Sequence, residues 1–234
     1  MQESSSERGT DLAGGLPIFP QIPGAKFGDA LSLPDFRRKR LLFNHFELTQ
    51  SIHIYQADCR AGARLRVQMI YPLLKRGRTA QARFAVIAQS LPYSADQDAL
   101  PIPLPAGFRA VVAPQMSDWT ISPHVDMLTA AEYYLGPVID TQVLVGGRCY
   151  IVVWIPDNRP GRYILQIGHR WPLRWSYWNQ LPMFWWKIRG WFGLSRIWAY
   201  LLLGGLAISL LVGWLVRRNR AMSRAGSRKS MPKS

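Results

Sequence analysis

The sequence predicts a mainly β protein: an antiparallel, jelly-roll-like β-sandwich, then an interfacial aromatic segment, then one C-terminal transmembrane α-helix. Three observations predict it. Short runs rich in β-branched and aromatic residues recur between Ser51 and Gly168, separated by Gly, Pro, Asn and Asp, with no convincing amphipathic helix among them. Residues 197–216 read IWAYLLLGGLAISLLVGWLV, 20 residues without a charge. The formal charge of +15 is split by position: residues 1–157 hold 15 basic and 14 acidic side chains, and residues 158–234 hold 14 basic and none acidic. A basic excess confined to the flanks of an apolar stretch indicates a membrane and a direction across it, and excludes a nucleic-acid face on the folded part.

Residues 1–49 form a polar, partly disordered N-terminus and a lead-in. The stretch MQESSSERGTDLAGG carries too little apolar surface to pack, and the following run, punctuated by Pro17, Pro20, Pro23 and Pro34, suits an extended chain. The basic cluster Arg37–Arg40, with Asp35 and Glu47 nearby, reads as a solvated face.

Residues 50–170 read as the sandwich. SIHIYQADC and ARLRVQMIY alternate as strands do, with Ala61-Gly62 as the turn between them. ARFAVIAQSL, the Pro-bounded FRAVVAP, and TQVLV add three more. RCYIVVWIP and RYILQIG, joined by Asp157–Gly161, read as a hairpin. Seven such strands argue for an antiparallel sandwich. The long Pro-rich, acidic stretch LPYSADQDALPIPLPAG within Leu91–Asp140 has the character of a binding loop.

The order Tyr55-x-Ala57-x-Cys59-x-Ala61-Gly62-x-x-Leu65-x-Val67 resembles the opening strand pair of the bacterial pre-peptidase C-terminal (PPC-like) β-sandwich domains. Gly146-Gly147-Arg148-Cys149-Tyr150-Ile151-Val152-Val153, followed by Gly161-Arg162-Tyr163-Ile164-Leu165, resembles their closing pair. The resemblance covers about residues 50–168 and rests on turns and core alternation. It implies a jelly-roll-like accessory module with no inherited catalytic residue. The chain departs from the pattern in its Pro-rich middle and in having Cys59 and Cys149 where larger apolar residues are usual. Under that alignment both cysteines point inward, as a disulfide in an oxidising compartment or as two buried thiols.

Residues 171–196, WPLRWSYWNQLPMFWWKIRGWFGLSR, read as a Trp-rich juxtamembrane collar, with Trp175, Trp178, Trp185, Trp186, Lys187, Arg189 and Trp191 at the membrane interface. Pro172, Pro182 and Gly190 are expected to break it into pieces. At about 1.5 Å per residue, the 197–216 helix matches the roughly 30 Å hydrocarbon core, with Trp198 and Trp214 near its ends. Gly205, Ser209 and Gly213 form a small-residue stripe that permits helix packing, and so a homo-oligomer. Arg217, Arg218 and Arg220 open the basic tail of residues 217–234 and set the topology. The positive-inside rule puts the C-terminus in the cytoplasm and the main domain outside. Residues 1–30 offer no export signal, so either a start lies upstream or the helix is a tail anchor with a cytoplasmic domain.

No catalytic constellation emerges. His45, His53, His124 and His169 are spread through the chain and read as surface residues, and neither cysteine has a neighbouring base. Asp96, Asp98, Asp118 and Asp126 fit no calcium-loop spacing and read as a solvated rim. Neither a metal nor a cofactor is expected. The functional expectation is a non-catalytic binding or interaction module on a single-pass anchor, with the lipid bilayer and a protein or glycan as partners and no nucleic acid. The alternative is a structural accessory subunit of a membrane complex, assembled through the helix and collar.

Overall fold

The computed structural model describes residues 16–19, 23–33, 36–92, 94–116, 122–157, 159–169, 175–197, 200–201, 204–205 and 208–215. The chain divides into two compact units, residues 1–194 and 195–234. The first unit is a two-sheet β-sandwich. Its strands are β1 Leu16–Ile18, β2 Leu31–Ser32, β3 Arg40–His45, β4 Ile52–Cys59, β5 Ala63–Leu73, β6 Arg83–Ala88, β7 Arg109–Val112, β8 His124–Val125, β9 Glu132–Val143, β10 Gly147–Trp154 and β11 Arg162–Ile167, followed by the helix α1, Trp175–Phe192.

One sheet runs β1-β3-β11-β5-β9-β8 and the other β2-β4-β10-β6-β7. Without the short edge strands β1, β2 and β8, eight strands remain, and their order is that of a jelly roll. Chain connections alternate between the sheets: β3 lies in the first, β4 in the second, β5 in the first, β6 in the second. The expected hairpin at Asp157–Gly161 is therefore a corner. β10 pairs with β4 and β6, whereas β11 pairs with β3 and β5. A turn motif specifies that the chain reverses, and packing decides which sheet the next strand joins.

The lead-in contributes three strands. β1 and β2 pair parallel to β3 and β4, and β3 is the antiparallel partner of β11. β3 was hidden because its run Leu41-Leu42-Phe43 is apolar on both faces and shows no alternation. TQVLV is only the end of a strand: β9 begins at Glu132, and its register on β5 shifts between Gln68 and Ile70.

Three apolar layers hold the unit together. Tyr55, Leu65, Val67, Met69, Phe84, Val86, Ile151, Val153, Tyr163 and Leu165 meet between the sheets. Outside the second sheet, Ile54, Ile87, Tyr150, Val152 and Trp154 are covered by Phe27, Leu100, Ile102, Leu104 and Phe108. Outside the first sheet, α1 covers Leu41, Phe43, Ile70, Tyr133 and Ile164. Covering both outer faces explains why Cys149–Trp154 are buried without a break.

The described part of the second unit is helical at residues 197, 200–201, 204–205 and 208–215. Among the described residues no helix is long and apolar enough to cross a membrane. Trp198, Arg217, Arg218 and Arg220 lie outside the described residues, as do the polar start of the chain and Asp118.

Candidate functional site

α1 is one continuous 18-residue helix with Pro182 inside it, where the sequence suggested separate pieces. Phe184, Ile188 and Phe192 recur every fourth residue and are buried on one face. That docked stripe stabilises the helix against its proline, since tertiary burial outweighs propensity in a short helix. Trp191 packs edge-to-face on Phe43 at 5.1 Å, and Phe19 stacks on the same ring at 5.1 Å. Arg162 of β11 donates to the Trp191 carbonyl and lies 5.5 Å over its indole. The helix ends in a Schellman motif: Leu194 N–H bonds Arg189 O at 2.8 Å, Gly193 N–H bonds Gly190 O at 3.1 Å, and Gly193 has φ +72°.

Beside α1, residues 125–130 form a braced turn. The Asp126 carboxylate, 1% exposed, accepts from Thr129 N–H at 2.8 Å and from the Thr129 hydroxyl. Ala130 N–H bonds Asp126 O at 2.7 Å with φ +54°, a conformation a non-glycine residue holds only when its surroundings impose it. Two collar residues supply part of that imposition. The Trp185 indole N–H donates to Leu128 O at 2.9 Å, Arg189 donates to Thr129 O at 2.7 Å, and the Arg189 guanidinium sits 4.9 Å over the Trp185 ring. The turn holds Met127 out at 95% exposure, with Val125 and Leu128 of the same turn also exposed.

Of the residues assigned to the interface from sequence, Trp185, Trp186, Lys187, Arg189 and Trp191 all lie on α1. Trp186 is half-buried, Lys187 is exposed with its ammonium 5.5 Å from the Phe19 ring, and Trp191 is turned against the sheet. Trp175 and Trp178 are in the first turn of α1, and their side chains fall outside the described residues. In the second unit Trp214 is exposed, Gly205, Ser209 and Gly213 are helical, and the Ser209 hydroxyl bonds Gly205 O at 2.8 Å within its own helix. The Met127 turn was missed from sequence. Its signal is Asp126 three residues before Thr129, an Asx-type turn with apolar residues between.

A buried polar chain ties the sheets together. Asn44 donates to Tyr55 Oη at 3.1 Å, Tyr55 and Tyr163 hydroxyls meet at 2.7 Å, and Tyr163 Oη lies 2.7 Å from His53 Nδ1. Because the Asn44 carbonyl already accepts from His45 N–H, its amide must donate. The order that satisfies each atom then runs Asn44 to Tyr55 to Tyr163 to His53, with His53 accepting at Nδ1. His53 also stacks on Phe46 at 4.3 Å. It is 3% exposed, which corrects its reading as a surface residue. Burial, and secondarily the nearby His45, pull its pKa down to about 3, and burial pushes Tyr55 up to about 12.

Two hollows remain. One, of about 360 Å³, is lined by Gln97, Asp98, Leu100, Pro101, Ile102, Pro103 and Leu104. The Pro-rich stretch thus presents one side to solvent while its other side covers the second sheet. The second hollow, of about 320 Å³, is lined by Phe36, Arg37, Asp58, Cys59, Arg60, Ala63 and Arg64. Cys59 and Cys149 are buried free thiols. Among the described residues no group of three or more His, Cys, Asp or Glu side chains could hold a metal ion. Asp96 and Asp98 lie in a single 3-10 turn, and Asp126 is committed to its own turn.

The class of protein defined by these features is a jelly-roll β-sandwich with an aromatic helix clamped to one face. Compared with known proteins, the sequence matches no family model and no curated protein.

Proposed function

We propose that this protein is a single-pass, membrane-anchored β-sandwich that acts as an extracytoplasmic binding module and performs no catalysis. The observation that carries the reading is a covalent one: four residues, 193–196, separate a Trp-rich helix fixed to the sandwich from a 20-residue stretch without charge. In this reading residues 197–216 span the bilayer, and Arg217, Arg218 and Arg220 stay on the cytoplasmic side. The α1 face with Trp185, Trp186 and Lys187 then lies along the headgroups with Trp175 and Trp178. Met127 and Leu128 dip into the interface, and Trp198 and Trp214 mark the ends of the span. The PPC-like resemblance supports an accessory module, and the hollow at Pro101 and Pro103 is the surface offered to a protein or glycan partner.

Protease accessibility on sealed vesicles tests this reading. External protease should degrade the sandwich and leave a protected fragment holding the tail. A sandwich protected on the cytoplasmic side overturns the topology, and release of the whole chain by alkaline carbonate overturns the span. A second reading, an accessory subunit of a membrane complex, draws on Gly205 and Gly213, where an added Cβ meets nothing within 4 Å. Dissociation of a native assembly by the double change Gly205→Ala and Gly213→Ala would favour it.

A further inference from the structure

We propose that Cys59 and Cys149 form an exchangeable dithiol, entered at Cys59 through the arginine-lined hollow, which reacts with small anionic disulfides and closes reversibly into a bond between β4 and β10. Three structural observations converge on it, and none depends on the membrane reading. First, the two side chains belong to the same buried cluster between the sheets and stand at diagonal positions of the β4–β10 pair. Second, they are unequal. Cys59 lines the 320 Å³ hollow, whereas Cys149 is fully buried behind it. Third, the hollow is lined by Arg37, Arg60 and Arg64 and by one acidic residue, Asp58, and Arg64 is bonded to Asp140 at 2.6 Å, so basic residues outnumber acidic ones there. That balance favours an anionic reagent and stabilises the leaving thiolate.

The thiols differ in acidity as well. The neighbouring Cys149 holds the Cys59 thiol below its ordinary value, with Arg37 helping, and Cys59 together with burial pushes Cys149 far up. Cys59, the thiol that lines the hollow, is the attacking sulfur. It loses its proton to solvent and attacks one sulfur of the incoming disulfide. The S–S bond of the reagent breaks, one thiolate departs, and a mixed disulfide forms at Cys59. Cys149 then gives its proton to the departing thiolate and attacks the Cys59 sulfur, expelling the second reagent thiol. In total, two protein thiols are oxidised and one small disulfide is reduced to two thiols.

Strand register makes this a switch rather than a permanent staple. Cys149 lies opposite Ala57 and Cys59 opposite Gly147, so the cysteines are diagonal rather than directly paired. Diagonal neighbours sit farther apart than the about 3.5–4.5 Å between Cβ atoms that a relaxed disulfide requires. Bond formation must shift the end of β4 or the Gly146-Gly147 turn, and a bond formed under such strain is readily reduced.

The test uses the reduced full chain in detergent micelles, with oxidised glutathione as the anionic probe and cystamine as the cationic one. Intact-mass analysis should show the wild type losing two hydrogens without retaining an adduct. Cys149→Ser should accumulate one glutathione, mapped to Cys59, and Cys59→Ser should remain unmodified while its thermal unfolding shows it folded. Glutathione should outpace cystamine by about tenfold, and Arg60→Ala should narrow that gap. Rapid acid quench of the wild type locates the first mixed disulfide without any variant. A first adduct on Cys149, two retained adducts with no internal bond, or no reaction of the folded wild type overturns the proposal. Equal rates for the two probes overturn its anion selectivity.

Discussion

Removing the imidazole of His53 should flatten the acid dependence of stability. In the folded chain His53 accepts from Tyr163, stacks on Phe46 and has its pKa lowered to about 3 from 6.5, chiefly by burial. A group whose folded pKa is depressed contributes fully above its unfolded pKa and loses that contribution as pH falls towards the folded value. Here the loss runs from pH 6.5 to about 3. At pH 5, 1.5 units below the unfolded value, the unfolded chain gains about 2 kcal/mol, rising to about 4 kcal/mol near pH 3. Protonation at Nδ1 also forces Tyr163 to stop donating, which propagates to Tyr55 and Asn44. Urea unfolding of the full chain in micelles at pH 7 and pH 5 measures this. His53→Gln keeps a polar group but no titration, and should be less stable at pH 7 yet lose about 2 kcal/mol less than the wild type on going to pH 5. Parallel pH profiles for the two proteins would refute the buried neutral histidine.

Further expectations follow from the packing. Phe192→Ala, at a fully buried position under α1, should cost about 3–5 kcal/mol in urea unfolding and expose the α1 segment to limited proteolysis. Gly168→Ala should cost about 1–3 kcal/mol in thermal or urea unfolding, because φ is +81° and the new Cβ would lie 2.4 Å from the Arg38 carbonyl. Asp126→Ala should cost about 1–3 kcal/mol by leaving the Thr129 N–H without its acceptor, and amide exchange should accelerate first at Ala130 and Ala131. Trp185→Phe keeps an aromatic ring but loses the bond to Leu128 O, and exchange in the same turn should rise while global stability moves by only about 1 kcal/mol.

The amino-acid sequence by itself determined where the strands with clear alternation run, where the turns between them fall and how charge divides along the chain. β4, β6, β7 and β11 fall within stretches that alternate or read as β-rich, and β5 and β10 overrun theirs only at one end, because side-chain period and turn chemistry are local properties. It also carried the collar residues and both cysteines, though not their environments. Only tertiary structure decided which sheet each strand joins, since Asp157–Gly161 can close a hairpin or turn a corner and the choice depends on partners far away in the sequence, β4 for β10 and β3 for β11. Tertiary structure likewise made one helix out of a segment broken by Pro182, because Ile188 and Phe192 find a sheet face to cover. It turned His53, an unremarkable residue on an alternating strand, into a buried acceptor. Burial and hydrogen-bond partners are set by residues distant in sequence, and no local pattern contains them.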